Sequence, residues 1–194
     1  MRLRLTASVH AALRRPAQPV RIAGPDSFGY VVPMRILPYT DALAPAFRAI
    51  NEAWIRDMFV LEDHDRHVLS HPREAIVDRG GVILFVADDA GQVIGTGALM
   101  PTEPGVVELT KMGVTAQARG TGAGAALLAA LIEQARALPG IRTLYLLTSR
   151  KCEAAIHLYE RAGFVHDADI MARYGGAYAR CDVAMRYALD QPGA

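Results

Sequence analysis

Cysteine is scarce in this 194-residue chain: Cys152 and Cys181 are too few and too unpatterned for a disulfide framework or a zinc site. They read as two buried thiols in a reducing compartment. No run of about 18 apolar residues occurs, which excludes a transmembrane helix. The amino terminus carries arginines but no continuous apolar core ahead of a cleavage site, so no secretory signal is read, and the cytoplasm is the expected location. A dominant charge is also lacking: 21 Lys+Arg against 20 Asp+Glu leave a net charge of +1. Nothing global argues for a nucleic acid or an anionic membrane as partner. With 52% hydrophobic and 21% charged residues, the chain suits one well-packed globular domain.

The charge is unevenly spread. Residues 1–33 hold Arg2, Arg4, Arg14, Arg15 and Arg21 against Asp26 alone, so the body is mildly acidic. That stretch has Arg/Ala/Pro character and no clean period, whereas Met34-Arg35-Ile36-Leu37-Pro38 reads as a fresh beginning. Residues 1–33 are expected to be a flexible extension or an artefact of the assigned start, and residues 34–194 the functional domain.

From Met34 a short strand leads to Thr40 or Asp41 as helix cap, and Leu43, Phe47, Ile50, Trp54 and Ile55 recur at helical spacing. Glu62 to Leu69 predicts a second short helix, stopped by His71-Pro72. Val82–Ala87 and Gln92–Leu99 flank the turn Asp88-Asp89-Ala90-Gly91 as an antiparallel hairpin. A strand over Val106–Val114 enters a glycine loop, and an Ala/Leu-rich helix follows until Pro139-Gly140. Thr143–Thr148 is a buried strand, Glu153–Arg161 a helix stopped by Gly163, and Phe164-Val165 opens a further strand. Asp182–Leu189 alternates Val183, Met185, Tyr187 and Leu189 on one face. The predicted class is α/β (α+β), with helices around one central mixed sheet.

The loop is Gln117-Ala118-Arg119-Gly120-Thr121-Gly122-Ala123-Gly124. Glycines let a backbone approach an anion closely, and successive N–H groups at a helix N-terminus can converge on phosphate oxygens. A pyrophosphate ligand is implied, against the bland alternative of a tight turn that only helps packing. Gly120 to Ala125 also satisfies a loose dinucleotide pattern, but the next strand ends in Leu147-Thr148-Ser149 without the ribose-binding acid, and an antiparallel hairpin precedes it. A P-loop would need Gly-Lys-Ser/Thr where Gly124 is followed by Ala125-Ala126.

Three segments together resemble the GNAT N-acetyltransferase superfamily. The loop meets the Q/R-x-x-G-x-G/A motif from Gln117 to Gly122, and again from Arg119 to Gly124. Glu108-Leu109-Thr110-Lys111-Met112-Gly113-Val114 looks like the family's fourth strand, and Ala155 to Phe164 like its A-x-x-L-Y-x-x-x-G-F signature. Ala116 stands where the family often has proline, and Cys152 near a frequent cofactor-touching asparagine, a contact Ser149 is expected to replace. The resemblance implies a GNAT-like mostly antiparallel sheet with helices on both faces and acetyl-CoA as cosubstrate. It implies binding by Met112, Gly113, Val114, Gln117, Arg119, Gly120, Thr121, Gly122, Ala123, Gly124 and Ser149. Self-association is common in that superfamily, so a homodimer is an assembly it allows.

Acetyl transfer to an amine needs a neutral amine, a polarised thioester carbonyl and a proton for the departing thiolate. The resemblance assigns the base to Glu108, acting through water, and the acid to Tyr159, a phenol whose reference pKa of about 10 suits a thiolate of about 8.5. A surface ion pair for Glu108 and a core aromatic for Tyr159 are the plain alternatives. Main-chain N–H groups near Met112 to Val114 are expected to polarise the carbonyl. Trp54, Phe59, His64 and Tyr178 are expected on the acceptor side, where acids and aromatics suit a cationic amine of a small molecule or peptide. Glu62-Asp63-His64-Asp65 could face solvent, the acceptor or a metal; contiguous helical residues point different ways, so no metal is expected. No cysteine or serine has a recognisable nucleophile setting, which predicts direct attack in a ternary complex. The rival class is a non-catalytic acyl-CoA-binding regulatory module; a third reading, acetylation of aminoacyl-tRNA, would need a basic cleft.

Overall fold

The computed structural model describes residues 19–20 and 34–189. Apart from Pro19–Val20, the expectation for residues 1–33 lies outside the described residues. Among these residues eight strands form one sheet: β1 (Pro19–Val20), β2 (Met34–Pro38), β3 (Val82–Ala87), β4 (Val93–Glu103), β5 (Val106–Val114), β6 (Thr143–Thr148), β7 (Phe164–His166) and β8 (Val183–Tyr187), in the order β1-β2-β3-β4-β5-β6-β8-β7. All neighbours are antiparallel except β5 and β6. The mixed, mostly antiparallel sheet with helices on both faces is therefore as expected.

Among the described residues five α-helices pack on it: α1 (Ala44–Met58), α2 (Asp63–Ser70), α3 (Ala123–Ala137), α4 (Glu153–Arg161) and α5 (Ala168–Tyr174). On one face α3 buries Leu127, Leu128, Leu131 and Ala135, at helical spacing, against Leu84, Val86, Leu109, Leu144 and Leu146. On the other, Phe47 and Ile55 of α1 and Val68 and Leu69 of α2 meet Ile83, Phe85, Ala98 and Met100. Alternate residues of β3 serve the two layers, which is why all six are buried although the strand is antiparallel.

Three local differences from the sequence reading have physical causes. Thr40 precedes a short 3₁₀ turn, Asp41–Leu43, and α1 proper begins at Ala44 with proline in its first turn, where no N–H partner is lost. β4 runs on through Pro101 to Glu103, and the register shifts between those two residues, the kind of place where a strand tolerates proline. Helix α5 lies between β7 and β8, where two successive strands were expected. Asp167 starts it by accepting a hydrogen bond from the Ile170 N–H at 2.9 Å.

Candidate active site

The site is where β5 and β6 part. Their pairing runs from Val106↔Thr143 to Leu109↔Leu146 and stops, while Leu147 and Thr148 stay paired with Ala184 and Val183 of β8. Opposite, the β4–β5 register slips: Thr96 faces Gly113, but Ala98 faces Thr110. One extra residue is thus accommodated around Lys111, whose φ of 50° is the sole positive value outside glycine among the described residues. Left-handed backbone at a lysine costs about 1–2 kcal/mol. The bulge turns the rest of β5 away from β6.

A cleft of about 860 Å³ occupies the gap, walled by Leu109–Val114 of β5, Leu147–Ser149, the glycine loop, α4 and the end of α1. Gly120 (φ 78°) and Gly122 (φ 88°) take left-handed conformations, Gly122 as N-cap of α3. That cap makes no side-chain hydrogen bond, and the first-turn N–H groups of α3, which helix geometry leaves without intrahelical partners, belong to a turn whose Gly124 and Ala125 line the cleft. A Cβ on Gly120 would meet nothing within 4 Å, an open approach rather than a packing need. These features fit a pyrophosphate cradle. Arg119, Gly120, Gly122 and Gly124 line the cleft with Met112, Gly113, Val114 and Ser149; Lys151 and Arg161, not singled out from the sequence, add positive charge. Three expected residues are not on its wall: Gln117 is exposed, Ala123 is fully buried, and the Thr121 hydroxyl turns back to donate to the Ala118 carbonyl at 2.8 Å.

Tyr159 reaches the cleft from α4, packed against Phe164 with ring centroids 5.8 Å apart. Burial, with Cys152 nearby, pushes its hydroxyl pKa well above the ordinary phenol value, so it remains a proton donor. Trp54, Phe59 and Tyr178, expected on the acceptor side, line this same cleft. Trp54 is fixed by donating from Nε1 to Asn51 Oδ1 at 3.0 Å, and Asn51 donates in turn to the Phe47 carbonyl.

Glu108 and His64 lie elsewhere. Both line a second cavity of about 300 Å³ with Met100, Thr102, Tyr145, Tyr174 and Arg173. Glu108 is 3% exposed; burial raises its pKa, and Lys111, Thr110 and Tyr178 oppose that rise. It is no surface carboxylate. His64 sits edge-on to Tyr178 at 5.4 Å, and burial followed by the Lys111 charge lowers its pKa, which leaves the imidazole neutral at pH 7. Tyr178 joins the two spaces: it lines the large cleft, and its hydroxyl donates to Glu108 Oε1 at 3.4 Å.

Between them stands an ion cluster that sequence reasoning only half found. Glu62-Asp63-His64-Asp65 does point in different directions: the Asp63 side chain is exposed, whereas Asp65 is fully buried. Asp65 accepts from Lys111 Nζ at 2.8 Å and from both Arg180 Nη atoms, and Arg180 also reaches Glu62 at 2.8 Å. Burial alone would raise the Asp65 pKa; Arg180 and Lys111 outweigh it and hold the carboxyl at about 2. Lys111 and Arg180 were missed. The signal for Lys111 was present: in Val107-Glu108-Leu109-Thr110-Lys111 the alternation puts a lysine on the apolar face, and only a bulge brings it to the polar one. No group of three or more His, Cys, Asp or Glu suited to a metal ion occurs among the described residues.

Comparison with known proteins agrees with this geometry. A family model described as the Acetyltransferase (GNAT) family matches residues 39–164, and the chain belongs to that family. The uncharacterized N-acetyltransferase YjgM of Escherichia coli K12 is 34% identical over 94 residues, which is 47% of this chain and 56% of that protein. The match thus spans little more than half the curated relative. A GNAT-family acetyltransferase from Staphylococcus aureus Mu50 superposes with a TM-score of 0.72 at 18% identity, over 80% of this chain and 99% of that one. The putative acetyltransferase yncA of Salmonella typhimurium, solved with acetyl-CoA, gives a TM-score of 0.63 at 23% identity, over 83% and 96%. Among the described residues, no helix is long and apolar enough to cross a membrane.

Proposed function

We propose that the chain is an acetyl-CoA-dependent N-acetyltransferase. It moves the acetyl group to the primary amine of a small molecule or of a peptide or protein, by direct attack in a ternary complex. One observation supports the reading most: Tyr159 lines the cleft that ends at the glycine loop, and the buried carboxyl of Glu108 lines a separate cavity one tyrosine away. Acetyl-CoA, present in the Salmonella relative, supplies the thioester.

First-turn N–H groups of α3 hold the pyrophosphate, with Arg119, Lys151 and Arg161 countering its charge. Main-chain N–H groups of Met112 to Val114, freed from β6, polarise the thioester carbonyl. The acceptor enters beside His64 and Tyr174, where Glu108 takes the proton its nitrogen must lose before or during attack. The new C–N bond forms as the C–S bond breaks, and Tyr159 donates its proton to the departing sulfur. The acetyl-CoA supply makes the cytoplasm the natural compartment.

The test is free thiol released from acetyl-CoA across a panel of primary amines. Turnover with at least one amine, reduced in both Glu108→Gln and Tyr159→Phe, supports the reading. Tight acetyl-CoA binding without release for any amine would favour a regulatory acyl-CoA-binding module.

A further inference from the structure

Lys111 combines two unfavourable features that nothing in the reaction scheme above uses: left-handed backbone in mid-strand, and an ammonium group with 2% of its side chain exposed. Strain and buried charge persist together only where the surroundings enforce them, and such places gather at functional sites. Three contacts with two residues define what the ammonium does. Nζ donates to Asp65 Oδ1 at 2.8 Å, lies 3.3 Å from Tyr178 Oη as donor, and sits 4.7 Å from the Tyr178 ring centre. An ammonium has no acceptor site, so the phenol oxygen must accept from it. The single Tyr178 hydrogen is then left for Glu108 Oε1 or for Thr110 Oγ1, each at 3.4 Å. A carboxylate is the stronger acceptor.

We propose that Lys111 is a positioning residue: through Tyr178 it fixes the hydrogen bond that Glu108 receives, and its charge favours the ionised form of that carboxyl. The proposal rests on the reading of Glu108 as base. Charge balance supports it. Two carboxylates, Glu62 and Asp65, face two cations, Arg180 and Lys111, so the cluster is closed before Glu108 is counted. Without Lys111 it would carry a net negative charge beside Glu108 and oppose a further one.

The other groups around Glu108 do not replace this cation. Arg180 acts on it from a distance but is committed to Asp65 and Glu62. His64, on α2, is neutral at pH 7, and Tyr145, opposite on β6, has its hydroxyl pKa raised by burial and then by Glu108, so it too is uncharged. Arg173, at the cavity rim, is bound to Glu103.

The experiment follows Glu108 itself and needs no acceptor. Protein labelled with carboxyl-¹³C glutamate is titrated by NMR, and the Glu108 resonance is assigned by its loss in Glu108→Gln. Lys111→Met is expected to raise the Glu108 midpoint by about one pH unit or more. Asp65 keeps its two-armed bond to Arg180 in that variant. Tyr178→Phe, which retains the packed ring, is expected to shift the midpoint in the same direction by less, and Lys111→Arg to shift it less than Lys111→Met. An unmoved midpoint in Lys111→Met, or in Tyr178→Phe should the first variant not fold, overturns the proposal with the base reading intact. Full thiol release by Glu108→Gln with amines that the unaltered protein acetylates would instead overturn Glu108 as base.

Discussion

Arg180 grips Asp65 with both arms of its guanidinium, Nη1 2.7 Å from Oδ2 and Nη2 2.9 Å from Oδ1, on a carboxylate with no solvent exposure. The same carboxylate receives Lys111, and through Oδ2 it accepts the Glu62 N–H that starts α2. One side chain therefore caps a helix, pairs with the buried Lys111 and the half-buried Arg180, and ties α2 to β5 and to the segment before β8.

Replacing Asp65 by alanine leaves the buried Lys111 ammonium without a counter-ion and Arg180 with Glu62 alone, so a loss of about 3–5 kcal/mol in unfolding free energy is expected. Chemical denaturation measures it; a loss below about 1 kcal/mol, the range of surface pairs, would contradict the role. Because the folded-state pKa of Asp65 is lowered to about 2, its contribution is complete above the unfolded value of about 3.9. That contribution fades as pH falls between those two values. Asp65→Asn should have a stability curve flatter than the unaltered protein over that window.

Gly113 is a packing requirement rather than a conformational one. A Cβ there would lie 2.6 Å from Trp54 Cδ1 and 2.8 Å from Nε1, and the indole is held by Asn51. Gly113→Ala is expected to cost about 1–3 kcal/mol by overpacking. It also displaces the wall along which the pantetheine would run, so the Kd for acetyl-CoA should rise. Thermal melting and calorimetric titration together check both effects, and an unchanged Tm would count against the close approach.

Tyr159→Phe keeps the ring against Phe164 and removes only the proton. The expected result is a fall in kcat of about 100-fold or more, with acetyl-CoA affinity retained. Equal losses in affinity and kcat would make the hydroxyl a binding group instead.

Cys152 lines the cleft as the N-cap residue of α4. Direct attack leaves it no covalent part, and Cys152→Ala should retain turnover. An acetylated thiol trapped on mass spectrometry after mixing with acetyl-CoA alone, and absent in that variant, would overturn the ternary mechanism.

Local signals made much of this protein legible in advance. The hairpin of β3 and β4, the loop into α3 and the Leu158-Tyr159 segment are encoded in contiguous residues, and turn chemistry, helix propensity and spacing act over such distances. What escaped depends on long-range partners. Arg180 sits among ordinary loop residues, and its value comes from Asp65, 115 positions away. Helix α5 is seven residues long, too short for a periodic pattern, although Asp167 as its cap was readable. Trp54 and Phe59, expected on the acceptor side, line the large cleft together with β5, a placement that depends on how distant segments pack.

The parting of β5 and β6 after Leu109 gives the centre of the sheet the character of an edge. Residues 110–114 keep β4 on one flank, but their other flank presents main-chain groups as an outermost strand does. Their outward amides should exchange with deuterated solvent far faster than those of Val107 to Leu109 in the same strand. A bound pantetheine arm would act there as a borrowed strand, closing the sheet and slowing that exchange.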